Sequence, residues 1–422
     1  MKQLGAITIL LLFFSAKAKA QDAQPLTLPE AEKQFLRNNL LLLAQRYHID
    51  ADKALADQAR KWNNPSFSAT LGFGTLDKVQ PFNIGSGGQF EGNIDQLILL
   101  AGKRNKQVQL AQWNVASSAA AFDELMRTLR LQLRSSYYEL YFLKETEKTL
   151  REQLSNLQKI LDAYREADAR GSVAHADVIR LQALQVGIAN DYTDLRQQEL
   201  AASLRLQTLL GSSLPVTPVV AGDVLRQYSL GSYTLQALTD TALANRPDLA
   251  LANSQLQQAN LNYQLQKALA VPDLHVGATY DKNGSYAANF VGLTLGIDLP
   301  LWNRNKGNIR SAAGEAKAQD ALYRQHQVNV GAEVATALKK IEFLENGSGW
   351  PDLQSFNTEY DRLIAEVAAN FRKGNISLLQ FIDYFNSYSD HVRHTNKFMN
   401  DRVLAYEELN YSTGAQLFNT AN

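Results

Sequence analysis

The 422-residue chain carries 42 basic and 42 acidic side chains, so no net charge favours binding to nucleic acid or to an anionic surface. It contains no cysteine, which excludes disulfides, thiol catalysis, thiolate metal sites and a lipid anchor through cysteine. After the N-terminal segment, no stretch reaches the about 20 consecutive apolar residues of a membrane-spanning helix. Any insertion into a membrane would therefore have to use strands.

Residues 1–20 have the pattern of a secretory signal peptide. Lys2 precedes an apolar run over residues 4–16, and the segment ends in Ala18-Lys19-Ala20. We therefore expect cleavage after residue 20 and export of the mature protein.

The first part of the mature chain predicts a helix followed by a strand hairpin. Thr27 and Glu30 have the spacing of a capping box, which would start a helix that continues to about Trp62. Apolar residues then alternate with serine, threonine and glycine. This alternation predicts strands at about 66–76 and about 89–100, joined by a glycine-containing loop.

A very long helix is predicted to follow the hairpin. From Lys103 to about Ala169 there is no proline or glycine, and apolar residues recur at spacings of three and four. At a rise of 1.5 Å per residue such a helix is about 100 Å long. A turn at 170–173 would then reverse the chain, and a second apolar stripe returns antiparallel to Gly211.

The same order of elements occurs twice. A shift of 207 residues carries Thr27 onto Thr234 and Pro65 onto Pro272, and beyond the hairpin a shift of 203 carries Gly171 onto Gly374. We interpret this as a duplicated unit of helix, strand hairpin, long helix, turn and helix. The predicted division is a first repeat at 21–211, a linker at 212–232 and a second repeat at 233–422, with strands at about 273–281 and 288–300, a tip turn at 373–377 and an interrupted long helix at 346–351.

The predicted strands place apolar residues on one face and small or polar residues on the other. Four strands in two hairpins leave edges that lipid cannot satisfy, so a membrane location would require closure with other copies. Two copies would supply eight strands, whose interior is filled by side chains, whereas three copies would supply twelve strands and leave room for a lumen. Because the inward-facing residues suit water, a homotrimer is the favoured prediction. The side chains expected to face lipid are Phe67, Leu71, Phe73, Val276, Tyr280, Val291, Leu293, Leu295 and Ile297.

Several motifs resemble those of the TolC-like outer-membrane efflux proteins over the whole mature chain. They are Leu26–Ala31 at the start of the first repeat, and 246–249 (Arg-Pro-Asp-Leu), 299–307 (Leu-Pro-Leu-Trp-Asn-Arg-Asn-Lys-Gly) and 372–377 (Arg-Lys-Gly-Asn-Ile-Ser) in the second. The segment 299–307, together with 100–104 (Leu-Ala-Gly-Lys-Arg), most resembles the heavy-metal efflux branch.

The resemblance implies a mainly α protein with a small β part, which trimerises into a 12-stranded barrel in the outer membrane of a Gram-negative bacterium and an α-helical barrel across the periplasm. Its implied function is that of a passive exit duct for metal cations or small toxic compounds. The implied partners are a periplasmic adaptor, or membrane fusion protein, and an inner-membrane pump of RND type. Neither a cofactor nor an enzymatic activity is implied.

The resemblance also implies roles for the turns at the far ends of the long helices. In this family such turns dock onto the adaptor, and by motif match they comprise Arg170, Gly171, Ser172, Val173, Lys373, Gly374, Asn375, Ile376 and Ser377. Family members usually have a hydrophobic or an acidic constriction near the tips, for which the acidic candidates are Asp162, Asp168 and Asp177.

Other interpretations of the sequence are an outer-membrane exit duct for type I polypeptide secretion and, in a different class, a soluble periplasmic coiled-coil scaffold. His391 and His394 have a spacing that could hold a metal ion, but the sequence offers no third ligand, so an ordinary helix face is the favoured interpretation. Asp95 and Asp298 could suggest paired catalytic carboxylates. Their matched positions in two repeats, with no base or nucleophile near them in sequence, argue against that.

Overall fold

The computed structural model describes residues 24–72, 74–75, 78–79, 88–221, 228–283, 287–347 and 353–418. The predicted signal peptide, Phe73 and most of the first hairpin loop lie outside the described residues. Among the described residues, no helix combines the length and the hydropathy needed to span a membrane.

Helices dominate the fold, as the sequence predicts, and strands form a small part. In the first half the elements are β1 Gln24–Leu26, α1 Leu28–Asn38, α2 Leu40–Ala59, β2 Ser66–Leu71, β3 Gly74–Thr75, β4 Lys78–Val79, β5 Phe90–Ile98, α3 Lys103–Ala169, α4 His175–Leu210 and β6 Val216–Pro218. In the second half they are α5 Leu235–Asn245, α6 Pro247–Leu269, β7 Leu274–Asn283, β8 Ala288–Ile297, α7 Lys306–Glu342, a π-helical turn Phe343–Gly347, α8 Leu353–Arg372 and α9 Leu378–Thr413.

The opening helix of each half is broken once, where the sequence predicts a single helix to Trp62. In the first half Asn39 leaves the helical conformation, and its side-chain oxygen accepts hydrogen bonds from the backbone N–H groups of Leu41 and Leu42, which starts α2. In the second half the break falls at Arg246, and Pro247 starts α6. Thr27 does form the predicted capping box.

The long helix of the first half is continuous over 67 residues. Its counterpart in the second half consists of α7, the π-helical turn and α8, which agrees with the predicted interruption, although the irregular geometry begins at Phe343, before Asn346. The rest of the predicted interruption lies outside the described residues. Both halves turn at a glycine and return along a 36-residue helix.

Four strands form one antiparallel sheet in the order β2-β5-β7-β8. The pairing of β5 with β7 joins the hairpin of the first half to the hairpin of the second. Strands β2 and β8 lie at the two edges, and no further strand pairs with either of them within the described part of the chain. Strand β2 ends at Leu71, earlier than predicted, and β8 ends at Ile297, before Pro300.

The helices bury two clusters of apolar residues. One draws on α1, α3, α4, α7, α9 and the small parallel pair β1–β6. The other lies towards the tip turns, between α3, α4, α8 and α9. The two halves of the chain therefore share both cores and fold together.

Candidate functional site

The four-stranded sheet has two chemically different faces. Register places Phe67 opposite Ile94, Ile94 opposite Ala278, and Ala278 opposite Leu293, so these residues share one face. The adjacent row joins Ser66, Asp95, Gly277 and Thr294 on the other face. Because side chains alternate along a strand, one face of the sheet is almost wholly apolar and the other is polar or small.

The apolar face is exposed to the surroundings of the chain. Leu293 is 86% exposed and Leu295 is 76% exposed, which is extreme for leucine in a folded protein. Of the other residues predicted to face lipid, Phe67, Leu71, Tyr280, Val291 and Ile297 are exposed on this face, Val276 is half-buried, and Phe73 lies outside the described residues. This face requires an apolar covering.

The polar face is held together by side-chain hydrogen bonds between strands. Asp95 lies 2.8 Å from the Nδ1 atom of His275, and the Thr279 hydroxyl donates to the side-chain oxygen of Asn93 at 3.1 Å. Gln89 donates to Asp281 at 2.8 Å. Asp298, predicted to share this face with Asp95, lies just beyond the end of β8. A face of this composition suits contact with water.

A buried lysine fastens the junction between the sheet and the long helix. Lys103, the first residue of α3, extends its ammonium group to Asp273 at 2.7 Å and to the carbonyl oxygen of Val271 at 2.6 Å. The backbone N–H of Leu100 donates to the same carboxylate at 2.9 Å. Since Asp273 precedes β7, this ion pair ties the strand exit of one half to the strand entry of the other.

The first tip turn ends α3 with a Schellman motif. The N–H of Gly171 donates to the Asp168 carbonyl and the N–H of Ser172 to the Ala167 carbonyl, both at 2.8 Å. Gly171 adopts φ +70°, in the left-handed region, and a Cβ placed on it would meet nothing within 4 Å. Glycine is therefore required by the backbone conformation and not by crowding.

The second tip turn repeats this geometry. Gly374 has φ +76°, and the N–H of Asn375 donates to the Asn370 carbonyl at 3.0 Å. Ser377 then caps α9 in a capping box with Gln380. In both turns the glycine and the residues beside it are exposed, except that Val173 and Ile376 are half-buried.

An aromatic stack joins the two tips. Tyr164 of α3 stacks on Phe371 of α8 with ring centroids 5.5 Å apart, and Phe371 stacks on Phe381 of α9 at 4.3 Å. These rings belong to the core near the tips. The turns of the two halves are therefore presented side by side.

Comparison with known proteins bears on these features. The sequence profile described as "Outer membrane efflux protein" matches residues 32–212 and 238–381, which is well over half of the chain. The chain belongs to this family.

Relatives and solved structures agree with the assignment. The pyoverdine export outer membrane protein OpmQ of Pseudomonas putida is 26% identical over 61% of this chain, but the match spans 56% of OpmQ, less than two thirds of its length. The cobalt-zinc-cadmium resistance protein CzcC of Cupriavidus metallidurans is 22% identical over 86% of this chain and 84% of CzcC. A crystal structure of CusC shares the fold, with a TM-score of 0.73 and 20% identity over 91% of each chain.

The acidic candidates in this outer membrane efflux protein each have a partner of their own. Asp162 accepts from Gln158 at 2.8 Å and lies 3.3 Å from Arg165, and Asp168 lies 2.7 Å from His175. Asp177 lies in the first turn of α4, 3.8 Å from Arg180. Each of the three carboxylates is therefore paired with a neighbour on its own helix or across the first tip turn.

His391 packs as part of an aromatic cluster. Its ring lies 4.9 Å from the rings of both Phe356 and Tyr360, and its Nε2 atom is 2.7 Å from the side-chain oxygen of Asn357. Burial lowers the pKa of His391 from its ordinary value. No group of three or more His, Asp or Glu side chains that could hold a metal ion is found among the described residues.

Sequence reasoning missed the buried polar contacts between the halves of this efflux protein. Arg134 of α3 is paired with Glu407 of α9 at 2.9 Å and with Glu32 at 2.7 Å, and Tyr228 donates to Glu407 at 2.6 Å. Burial alone would lower the pKa of Arg134, but the two carboxylates hold it above its ordinary value. Farther along the contact between α3 and α9, which we call the α3–α9 seam, the Ser389 hydroxyl donates to the side-chain oxygen of Gln153 at 2.7 Å.

Two of these contacts had a signal in the sequence. Lys103 lies in the segment 100–104 that resembles the heavy-metal efflux branch, and Asp248, which lies 3.6 Å from Arg127, belongs to the motif 246–249. The partners of Arg134 and Gln153 are 273 and 236 residues away in the chain. No local pattern indicates contacts over such separations.

Proposed function

We propose that this protein is the outer-membrane exit channel of a tripartite efflux system, through which substrates delivered by an adaptor and an inner-membrane pump leave the cell. The observation that supports this most directly is the two-faced sheet with two open edges, attached to helices of unusual length. The apolar face suits the hydrocarbon of a bilayer, and the polar face suits a water-filled lumen.

Three copies would close the structure. Backbone groups at the edges of β2 and β8 have no water to bond to inside a bilayer, so the edges have to meet strands of other copies. Three four-stranded sheets give twelve strands, enough for a barrel with an open interior. The 67 residues of α3 reach about 100 Å at 1.5 Å per residue, which suits an α-helical barrel across much of the periplasm.

The barrel places each strand face in a defined environment. Phe67, Leu71, Val276, Tyr280 and the residues 291–297 on the same face would contact outer-membrane lipid. Since the chain has no cysteine, its attachment to the membrane would come from this barrel and not from an acylated cysteine.

The tip turns 170–173 and 373–377 are the proposed docking surface for the adaptor. They are exposed, they lie side by side, and their glycines have open space around them. We propose a pump of RND type behind that adaptor. We propose metal cations or small toxic compounds as the substrates, in keeping with the metal resistance named for CzcC and the export named for OpmQ.

The carboxylates of Asp162, Asp168 and Asp177 are the proposed lining of a narrowing near the tips. In a trimer each would occur three times around the axis. Exchange of all three for asparagine is expected to raise the single-channel conductance of the reconstituted protein for anions relative to cations. An unchanged ion selectivity would remove the three residues from the lumen.

Membrane fractionation tests the location. The protein is expected in the outer-membrane fraction and, after extraction with detergent, as a trimer. Recovery from the soluble fraction without detergent would instead support the periplasmic scaffold.

Substitution of the tip glycines tests docking. Valine at both Gly171 and Gly374 is expected to abolish the resistance of cells to the exported compound, while trimers of the variant still reach the outer membrane. The matched control places alanine at Gly187 and Gly331, helical glycines with equally open surroundings, and should retain resistance. Normal resistance in the tip variant would contradict docking at these turns. A defect limited to secretion of one polypeptide would favour type I secretion.

A further inference from the structure

We propose that each chain carries a binding site for the phosphate group of an anionic phospholipid, at the junction where α2, β5 and α3 meet. The inference rests on the proposed outer-membrane channel and adds a specific lipid contact to it. The site is a pocket of about 560 Å³, a volume within the range of about 300–1,000 Å³ that ligand pockets usually have. Its lining includes Lys61, Trp62, Asn63, Asn64, Arg104 and Gln107.

The pocket is positively charged. Lys61 and Arg104 are its charged residues, and none of the described residues that line it is acidic. Within the described part of the chain, neither cation is paired with a carboxylate. The side-chain amides of Asn64 and Gln107 add further N–H donors. This composition suits an anion with several acceptor oxygens, such as a phosphate group.

Arg104 is held in a geometry that leaves hydrogen-bond donors available. Its guanidinium carbon lies 4.4 Å from the ring centroid of Trp62, so a flat face of the guanidinium rests on the indole. One N–H donates to the carbonyl oxygen of Arg60. The Nε atom is buried and has no hydrogen-bond partner among the described residues. Stacking leaves the edge of the guanidinium, where its N–H groups bind phosphate oxygens, free for a ligand.

The pocket adjoins the apolar face of the sheet. Gln96 of β5 lies on that face, opposite Val276, and its side-chain amide donates to the Asn63 carbonyl in the pocket lining at 3.0 Å. Trp62 is 64% exposed, and Phe67 at the start of β2 is 71% exposed. A phosphate group bound in the pocket would therefore have its acyl chains beside the apolar face.

The position of the pocket along the chain selects a lipid as the source of the phosphate. The pocket lies at the end of the sheet where β2 begins, β5 ends and the helices α2 and α3 are attached. In the proposed channel these helices extend into the periplasm, so this end of the sheet meets the periplasmic leaflet, which consists of phospholipids. Tryptophan is enriched at such an interface, and basic side chains there attract anionic headgroups.

The equivalent junction in the second half has the opposite chemistry. The pocket there is lined by Asp273 and Asp298, and its Lys103 is already paired with Asp273 at 2.7 Å. The repeat shifts of 207 and 203 residues carry Lys61 onto Ala268 and Arg104 onto Gly307. The proposed site therefore occurs once in each chain and three times in a trimer.

Native mass spectrometry of the full-length trimer in detergent tests the site. Dioleoyl-phosphatidylglycerol is the anionic probe, and dioleoyl-phosphatidylcholine, which has no net charge, is the comparison. The wild-type trimer is expected to retain up to three molecules of the anionic lipid in preference to the neutral one. Combining Lys61→Gln with Arg104→Gln should weaken that binding about tenfold, because two charge-assisted contacts are lost.

A matched variant controls for the change in charge. Lys306→Gln with Arg310→Gln removes two exposed cations at the start of α7 that line neither pocket, and it should retain the anionic lipid as the wild type does. Because Arg104 also bonds to the Arg60 carbonyl, its substitution could prevent folding. Lys61→Gln alone changes an exposed side chain and should by itself reduce the retained lipid.

Each outcome decides a different point. Equal lipid retention by the Lys61/Arg104 variant, or by Lys61→Gln alone, and by the control variant would overturn the site. Thermal unfolding in inorganic phosphate is the second measurement. If phosphate stabilises the wild type and not the Lys61/Arg104 variant, while the trimer shows no preference for the anionic lipid, the site binds a free anion and the lipid assignment is wrong. Both results leave the proposed channel intact, whereas a native wild-type monomer in detergent would overturn the channel as well.

Discussion

The two halves of the chain have the same elements in the same order, yet they differ where each half meets its neighbours. The long helix of the first half runs unbroken through 67 residues, whereas its counterpart passes through a π-helical turn at Phe343–Gly347. The tip turns, in contrast, are nearly identical, with φ +70° at Gly171 and +76° at Gly374. The two tip turns have therefore kept the same backbone conformation, whereas the long helices of the two halves differ.

The surfaces along the helices differ in chemistry as well. Inside the chain, the seam between α3 and α9 contains a buried ion pair, Arg134 with Glu407. At the counterpart positions the chain has Ala337 and Leu204, which are apolar. The contact between α3 and α9 is therefore specified by polar partners at positions where the other half of the chain has apolar residues.

The largest expected effect comes from breaking the polar seam. Among the described residues, Glu407→Leu leaves the buried Arg134 with Glu32 as its remaining counter-ion, and the substitution is expected to cost about 3–5 kcal/mol of stability. Combining it with Arg134→Met makes this seam apolar, as its counterpart is, and should recover much of that loss. Urea denaturation of the purified variants measures both. If the free energy of unfolding of the double variant is no higher than that of Glu407→Leu, the ion pair itself stabilises the contact between α3 and α9.

The next effect concerns the apolar face of the sheet. On this face β8 has the exposed Leu295 at the position where β5, its counterpart in the first half, has Gly92. Leu295→Arg is expected to cost about 2–4 kcal/mol if the residue lies near the bilayer midplane. Thr294→Arg, one residue away on the polar face, is the matched control and should assemble normally. The yield of heat-resistant trimers in outer membranes is the measurement. Equal yields from the two variants would contradict the assignment of faces.

A smaller effect distinguishes the break at Asn39, which has a side-chain cap, from the break before Pro247, which has none. Asn39→Ala removes the side-chain cap of α2 and is expected to cost about 1 kcal/mol. It also removes the hydrogen bond from Asn39 to the Leu209 carbonyl, at 3.1 Å. Pro247→Ala at the counterpart break removes only a preference for the helical conformation, so it should cost less. Thermal denaturation that ranks the two in the opposite order would refute this account.

The smallest effect is a pH dependence confined to the second half. Burial lowers the pKa of His391 below its ordinary value of 6.5, with Asp361 opposing and His394 adding to the shift. The unfolded chain then takes up the proton more readily, so stability is full above about pH 6.5 and declines as the pH falls below it. His391→Ile, which installs the residue found at position 188, should flatten that decline. Identical pH profiles of the melting temperature would exclude His391.

The repeated pattern of elements could be predicted from local features of the sequence. Period-two alternation marked the strands, spacings of three and four marked the long helices, and Gly171 and Gly374 marked the turns, because each signal is local and follows from backbone geometry. The apolar face of the sheet followed from the same alternation. The motifs also indicated the family, which the match over residues 32–212 and 238–381 confirmed.

How the two halves meet could not be predicted and became clear from the folded chain. That β5 pairs with β7, that Lys103 reaches Asp273, and that Arg134 is buried against Glu407 all depend on contacts between residues far apart in the chain. The break at Asn39 was also missed, because its cap is completed by packing against α4 through the Leu209 carbonyl. Local sequence patterns do not identify such partners, because they do not distinguish a polar residue that is buried from one that is exposed.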